Sequence, residues 1–231
     1  MTKYIGEELE NFSIATFWRK YVLSKVWSYY QDKKVVEIGS GVGSFSKIIT
    51  KKCKSLTLVE PDSEFCDLLE EKFKNNKKII KIINGTSNDV GEKFDTIVHF
   101  QVLEHIKDDN KEIINNLNLL NENGHLLICV PSFMSLYSNF DKMIGHFKRY
   151  EKKDFFDFKL GNSKIIKMFY VDSCGYLAYS FFKLFIDSSN PKKFMIFIWD
   201  KFFIPISFFL DFFLRYKIGK NLIVIIQKKS S

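Results

Sequence analysis

Arginine is nearly missing from this 231-residue chain, which has 35 basic residues of which only Arg19, Arg149 and Arg215 are arginine. A nucleic-acid-binding face needs an Arg/Lys stripe on one element, and the lysines here are scattered along the chain. The formal net charge of +8 thus reads as solvated lysine, and no nucleic-acid partner is expected. The four cysteines (53, 66, 129 and 174) show neither metal spacing nor a disulfide framework, which points to a reducing compartment. No set of His, Cys, Asp or Glu has the spacing of a metal site, so no metal is expected. Residues 1–8 carry acids and no apolar run, so they do not read as a secretory signal. A cytoplasmic protein of one domain over residues 1–231, long enough for a substantial core, is the expectation.

What is present is a glycine-rich strand end. Val35-Val36-Glu37-Ile38-Gly39-Ser40-Gly41-Val42-Gly43 runs an apolar strand past an acid into three glycines at alternate positions. Glycine is needed where a Cβ would block close approach or where φ must be positive. A second apolar strand, Leu56 to Val59, ends in Glu60, placed to accept both hydroxyls of a ribose. Loop and acid together point to a nucleoside cofactor. A dinucleotide fingerprint would place its third glycine one residue later, and Glu37 would repel a diphosphate. A cofactor with a cationic end suits Glu37 better.

Apolar runs at 33–38, 55–60, 78–83, 94–100, 124–130, 164–171 and 221–227 read as strands. Between them, 44–52, 62–74 (N-capped by Asp62 or Ser63), 108–121 and 151–160 read as helices, with Asn123-Gly124 as a helix stop. Residues 1–30 form a helical segment, with one or two helices over 8–30 and Phe12, Phe17, Trp18, Val22 and Val26 on an apolar face. Strands alternating with helices predict an α/β, doubly wound, Rossmann-like sheet, mostly parallel, with ligands at the carboxyl ends of the strands.

The glycine segment resembles motif I of the class I S-adenosylmethionine-dependent methyltransferases, E/D-x-G-x-G-x-G. Leu58-Val59-Glu60-Pro61-Asp62, Phe94 to Val98 with Leu103-Glu104-His105, and Gly124 to Pro131 resemble later motifs of that family in order. The resemblance implies a seven-stranded sheet with an antiparallel last strand and S-adenosylmethionine as cofactor. It implies that Glu37, Gly39, Ser40, Gly41 and Gly43 line the methionine half and that Glu60 holds the ribose. Pro61, Asp62 and Thr86 would lie beside the adenine, and Phe100 and Gln101 near the sulfonium and the substrate entrance.

Gly145-His146-Phe147-Lys148-Arg149-Tyr150 is similar to a G-H-x-R-R-Y pattern of bacterial methyltransferases that act in glycan pathways. By that resemblance Gln101, His146, Arg149 and Tyr150 contact the substrate, and His146 and His105 are candidate proton acceptors. The plainer reading is that these side chains brace a loop. His99 and His125 read as core and unremarkable, respectively.

About fifty residues (172–220) separate the last two strands. From Phe169 to Tyr216, 17 of 48 residues are aromatic, so this is a built insertion rather than a linker. Asp200, Lys201, Asp211 and Pro205 argue against a membrane span. On a helical wheel Lys193, Asp200, Asp211 and Arg215 make one narrow charged stripe, which predicts that the greasy remainder is buried as a site cover, a homodimer surface or a peripheral membrane contact on the inner face. The expected activity is methyl transfer to O or N of a sugar or lipid-linked glycan precursor. The alternatives are methylation of a small lipophilic molecule such as a quinone precursor, a NAD-dependent oxidoreductase, and a non-catalytic membrane-associated binding protein.

Overall fold

The structure is a computed structural model that describes residues 11–183 and 192–230. Among these, β1 (Lys34–Ile38), β2 (Ser55–Glu60), β3 (Ile79–Asn84), β4 (Phe94–Phe100), β5 (Leu120–Pro131), β6 (Ser163–Val171) and β7 (Asn221–Lys228) form one sheet. Its order is β3-β2-β1-β4-β5-β7-β6. The first five strands pair in parallel, and β7 runs antiparallel to β5 and β6. This is the expected α/β architecture.

Successive strand residues feed opposite faces. Val35, Leu58, Val98, Leu127 and Ile223 belong to one core cluster, whereas Val36, Val59, Ile97, Ile128 and Val224 belong to the other. With a side-chain period of two, near-continuous apolar runs are what a sheet covered on both faces requires. The helices that cover it are α1 (Thr16–Val26), α2 (Ser46–Ile49), α3 (Ser63–Phe73), α4 (Asp109–Asn118), α5 (Asn139–Met143), α6 (Ser173–Lys183), α7 (Lys193–Ile198) and α8 (Ile204–Phe213). Asp62 caps α3 by accepting from the Glu64 and Phe65 N–H groups. The strand order reverses beside β1, so the loops after β1 and β4 part there and leave a crevice at the carboxyl edge.

Four local expectations are corrected. Helix α4 stops at Asn118, because the Lys228 ammonium takes the Leu117 and Leu120 carbonyls. Asn123-Gly124 therefore lies inside β5, at a shift in register against β4, where a Cβ on Gly124 would stand 2.8 Å from the Asn121 carbonyl oxygen. The predicted helix over 151–160 is a single 3-10 turn, Lys152–Phe156, closed by a Glu151/Asp154 capping box. Phe17 leaves the apolar face of α1 and is 40% exposed, while Trp18, Val22 and Val26 are buried. The predicted start of that helix at residue 8 lies outside the described residues.

The largest correction is the insertion, which is inside out relative to the wheel argument. Asp200 and Asp211 are fully buried, whereas Phe194, Phe202, Phe209, Phe212 and Phe213 are exposed, the last at 76%. The reason is helix-end chemistry. The first N–H groups of a helix have no partner within it. The Asp200 carboxylate accepts from the Phe17 and Trp18 N–H groups at the start of α1, where Ala15 supplies no side-chain cap. Asp211 does the same for Asp172 and Ser173 at the start of α6, and also accepts from the Tyr21 hydroxyl. The two acids of the stripe thus point inward to cap two neighbouring helices, while Lys193 and Arg215 stay exposed. Pro205 does not split the long helix, which continues through a π turn at Trp199–Phe203.

Removing the Asp200 carboxylate strands two N–H groups. Asp200→Ala should lose about 2–4 kcal/mol in urea unfolding. Phe213→Ser, on the outer face, should stay within about 0.5 kcal/mol.

Candidate active site

A cavity of about 730 Å³ opens at the crevice. Its floor is the loop after β1, with Glu37, Gly39, Ser40, Gly41, Phe45 and the strand-end residues Phe100 and Gln101. Its far wall carries His105, His146, Arg149 and Lys220. Its roof comes from the insertion, with Tyr179, Ile196, Trp199 and Phe203, and from Phe12, Trp18 and Arg19 near the N-terminus.

The floor is bare backbone for two reasons. Gly39 has φ +71° and Gly43 φ +70°, in the left-handed region. A Cβ on Gly39 would also stand 2.4 Å from a Val102 methyl, and one on Gly43 would stand 2.6 Å from the Phe73 ring. The glycines therefore let the loop nest against Val102 and α3 as well as keep the floor clear. Below it, the Glu37 carboxylate is buried and accepts from the Ser46 hydroxyl at 2.5 Å. Burial pushes its pKa up to about 8, against the opposing pull of that hydrogen bond.

Glu60 does not line the cavity. Its carboxylate accepts from the Gly41 N–H at 2.7 Å and the Asp62 N–H at 3.0 Å, and so holds the loop in shape. Each of those oxygens keeps a second acceptor position. Pro61, Asp62, Thr86 and Gly43 likewise stand outside the cavity lining. Thr86 is spent on a capping box with Asp89.

Gln101, the residue after β4, has φ +57°, a strained setting for a side chain with a Cβ. Its amide donates to the Cys129 carbonyl and to the Asn221 side chain, which fixes it at the cavity wall.

The wall after β5 is organised by Asp141. The Arg149 guanidinium donates to both its carboxylate oxygens at 2.9 Å, and the His146 Nδ1 lies 2.9 Å from Oδ1. Burial alone would raise the Asp141 carboxyl, but these two partners outweigh it and hold it well below the usual range. Most of the Arg149 fork is thereby spent inside the protein, leaving Nη1 buried without a partner. Tyr150 is fully buried behind the wall, with its hydroxyl on the Leu103 carbonyl and Asp109, so the expectation that it meets substrate is corrected to a bracing role. Burial, with His146 beside it, pushes the His105 imidazole down to about 3. A proton acceptor works best with a pKa near the operating pH, so this His105 is not tuned as a base. His99 is buried beside Glu112, as a core histidine.

One cavity residue, Lys220, and one residue behind the roof, Asp172, carried no motif in the sequence. Lys220 stands between the Trp199 and Tyr179 rings, 4.7 and 5.3 Å from their centroids, and burial lowers its pKa. Asp172 anchors that roof by accepting from the Trp199 indole N–H and the Ser207 hydroxyl. Only the fold brings the segments after β5, after β6 and before β7 together.

The sheet order, the reversed β7 and a glycine-floored cavity at the switch point define the class I methyltransferase architecture. The profile of a family described as "Methyltransferase domain" matches residues 18–158. The chain belongs to that family, which sets the oxidoreductase reading aside. It is 30% identical over 141 residues to "Probable polyketide synthase 40" of Dictyostelium discoideum, covering 51% of this chain but only 5% of that protein. Coclaurine N-methyltransferase shares the fold at a TM-score of 0.59 and 13% identity, over 91% of this chain and 72% of that one. N-methyltransferase NodS from Bradyrhizobium japonicum does so at 0.55 and 14%, over the full length of both.

Gly39→Ala should destabilise by about 2–4 kcal/mol, from the Val102 overlap together with the positive φ. Adding Val102→Ala should recover the overlap and leave about 1–2 kcal/mol, so a double-mutant cycle by chemical unfolding should show coupling.

Proposed function

We propose that this methyltransferase acts on O or N of a sugar or lipid-linked glycan precursor that carries an anionic group, at a membrane surface. The observation that carries this reading is the division of the cavity: a buried carboxylate under bare backbone at one end, and two enclosed cations under an aromatic roof at the other. The floor residues suit the methionine half of the cofactor, while those expected at its ribose and adenine stand just outside the present cavity lining. Glu37, Gly39, Ser40 and Gly41 would receive the methionine half, with Phe100 and Gln101 near the methyl. Gly43 shapes the loop, Glu60 would hold the ribose through its free acceptor positions, and Pro61, Asp62 and Thr86 would flank the adenine. When bound, S-adenosylmethionine supplies a methyl group already activated by a sulfonium. The chain then needs to align the acceptor and exclude water, because alignment in a dry site supplies much of the acceleration.

The acceptor end falls to His105, His146, Arg149 and Lys220. The Arg149 Nη1 and the Lys220 ammonium suit a phosphate or carboxylate. A neutral lipophile such as a quinone precursor would use the same aromatic roof but not the cations. Lys220→Met should therefore raise KM for an anionic acceptor and leave a neutral one unaffected. The acceptor class is found by transfer of labelled methyl into glycan, lipid and small-molecule extracts. Label only in neutral small molecules overturns the glycan reading.

The membrane part rests on the outer face of the insertion. Within residues 192–217 both acids are buried, while Lys192, Lys193, Arg215 and Lys217 are exposed around the phenylalanines. Aromatics rimmed by cations suit an anionic lipid surface. No helix among the described residues is long and apolar enough to cross a membrane, so the contact is peripheral. The protein should sediment with phosphatidylglycerol vesicles more than with phosphatidylcholine ones, and Phe209→Ser/Phe213→Ser should cut this at least about tenfold. Indifference to vesicles together with a doubled mass in light scattering would make the face a contact between two copies.

Glu37 gives a signed pH test. Below about pH 8 it holds a proton in the free protein, with Glu60 and Lys72 as its charged neighbours. A cationic ligand favours the ionised form, so binding releases a proton. Affinity for S-adenosylmethionine should rise from pH 6 to 8 and then level, by calorimetry in buffers of different ionisation heat. Glu37→Gln should flatten the profile.

A further inference from the structure

Glu104 is the anomaly of the cavity wall. It follows the β4 end, is fully buried, and neither carboxylate oxygen has a hydrogen-bond partner. Leaving a buried carboxylate unmatched is among the costlier things a fold can do. Two imidazoles stand beside it. The His146 Nε2 lies 3.9 Å from the Glu104 Oε1, and the His105 and His146 rings meet edge to face at 4.5 Å between centroids. One ligand atom from each of the three residues lies within 4.8 Å of the others.

Both rings are held as ligand imidazoles are held. The Asp141 carboxylate pairs with the His146 Nδ1, which leaves the Nε2 lone pair on the Glu104 side. His105 is hydrogen-bonded to the Ile144 backbone, which orients its ring beside His146. Asp141 is fixed in turn by Arg149. The Phe147 N–H donates to the Glu104 carbonyl at 2.7 Å and ties the two contributing loops together.

We propose that Glu104, His105 and His146 bind one divalent transition-metal ion, of the Mn(II), Co(II) or Zn(II) class, at the acceptor end of the cavity. One carboxylate and two imidazoles are a borderline donor set that disfavours Mg(II) and Ca(II), which prefer oxygen throughout. Ligand atoms around an ion with bonds of about 2.1 Å lie roughly 3–3.5 Å apart, so small side-chain rotations close the site. His105 and His146 line the cavity while Glu104 lies behind them, so the remaining coordination positions face the acceptor. An oxygen donor of the acceptor, a hydroxyl or phosphate oxygen, would complete the ion's shell. The ion neutralises Glu104 without drawing on the Asp141–Arg149 pair. Sequence spacing hides the site, because two ligands are adjacent and the third is 41 residues on.

The ion rests on the acceptor end of the proposed function, so its test is separated from cofactor binding. Metal-free protein is titrated with Co(II), followed by visible absorption, and S-adenosylhomocysteine affinity is measured on the same samples. Wild type should take up one equivalent, displaced by Zn(II), with a rise in Tm. Glu104→Gln and His146→Gln should each weaken Co(II) at least a hundredfold and keep S-adenosylhomocysteine affinity within threefold. Asp141→Asn, which touches no ion, should weaken Co(II) by about 10–100-fold. If Glu104→Gln does not fold, His105→Asn takes its place, since it leaves the buried carboxylate untouched. No uptake by wild type at millimolar Co(II), or equal uptake by wild type and the ligand variants, overturns the proposal. Loss of S-adenosylhomocysteine binding by wild type would instead strike the cofactor assignment.

Discussion

Carboxylates are buried all along the carboxyl edge of the sheet, and each must be matched by hydrogen bonds or charge for the fold to hold. Glu37 takes the Ser46 hydroxyl, Glu60 takes two backbone N–H groups of its own edge, and Asp141 takes His146 and Arg149. Asp172, Asp200 and Asp211 are matched by helix N-termini, an indole and hydroxyls. Each such match fixes a loop that lines the cavity, so satisfying buried charge and shaping the site are one operation. Glu104 is the exception to the pattern, and it stands where the acceptor end begins.

The part of this arrangement legible in the sequence is the part built from local spacing. β2 and β4 fall where their apolar runs end, because strands buried on both faces are marked by the run itself. The glycine loop was readable for a related reason: its positive φ values demand glycine at fixed offsets. Glu37 was readable as the acid below the loop. Glu60 was placed correctly at the β2 end, but its present partners are backbone groups that no sequence pattern records.

The acceptor end was hidden because its members are distant in the chain. Asp141, Lys220 and Trp199 each look ordinary in sequence and matter only where the loops after β5 and β6 converge. The insertion was misread for a different physical reason. A helical wheel assumes that charge seeks water, which holds unless the charge has a better partner inside. Asp200 and Asp211 have such partners in the orphan N–H groups of α1 and α6. Once those acids turn inward, the geometry of the helix leaves the phenylalanines no choice but to face out.

That inversion ties the outer face to the cavity. Trp199 and Asp200 are consecutive residues on the π turn. The indole N–H of one holds Asp172 at the end of β6, and the carboxylate of the other holds the start of α1. The exposed Phe197 lies just before that turn and the exposed Phe202 within it. A π turn carries one residue more than the flanking α-helix accommodates, which is a local conformation of higher energy than its surroundings. One turn thus holds both Trp199 in the cavity roof and, through Asp200, Trp18 in its N-terminal wall.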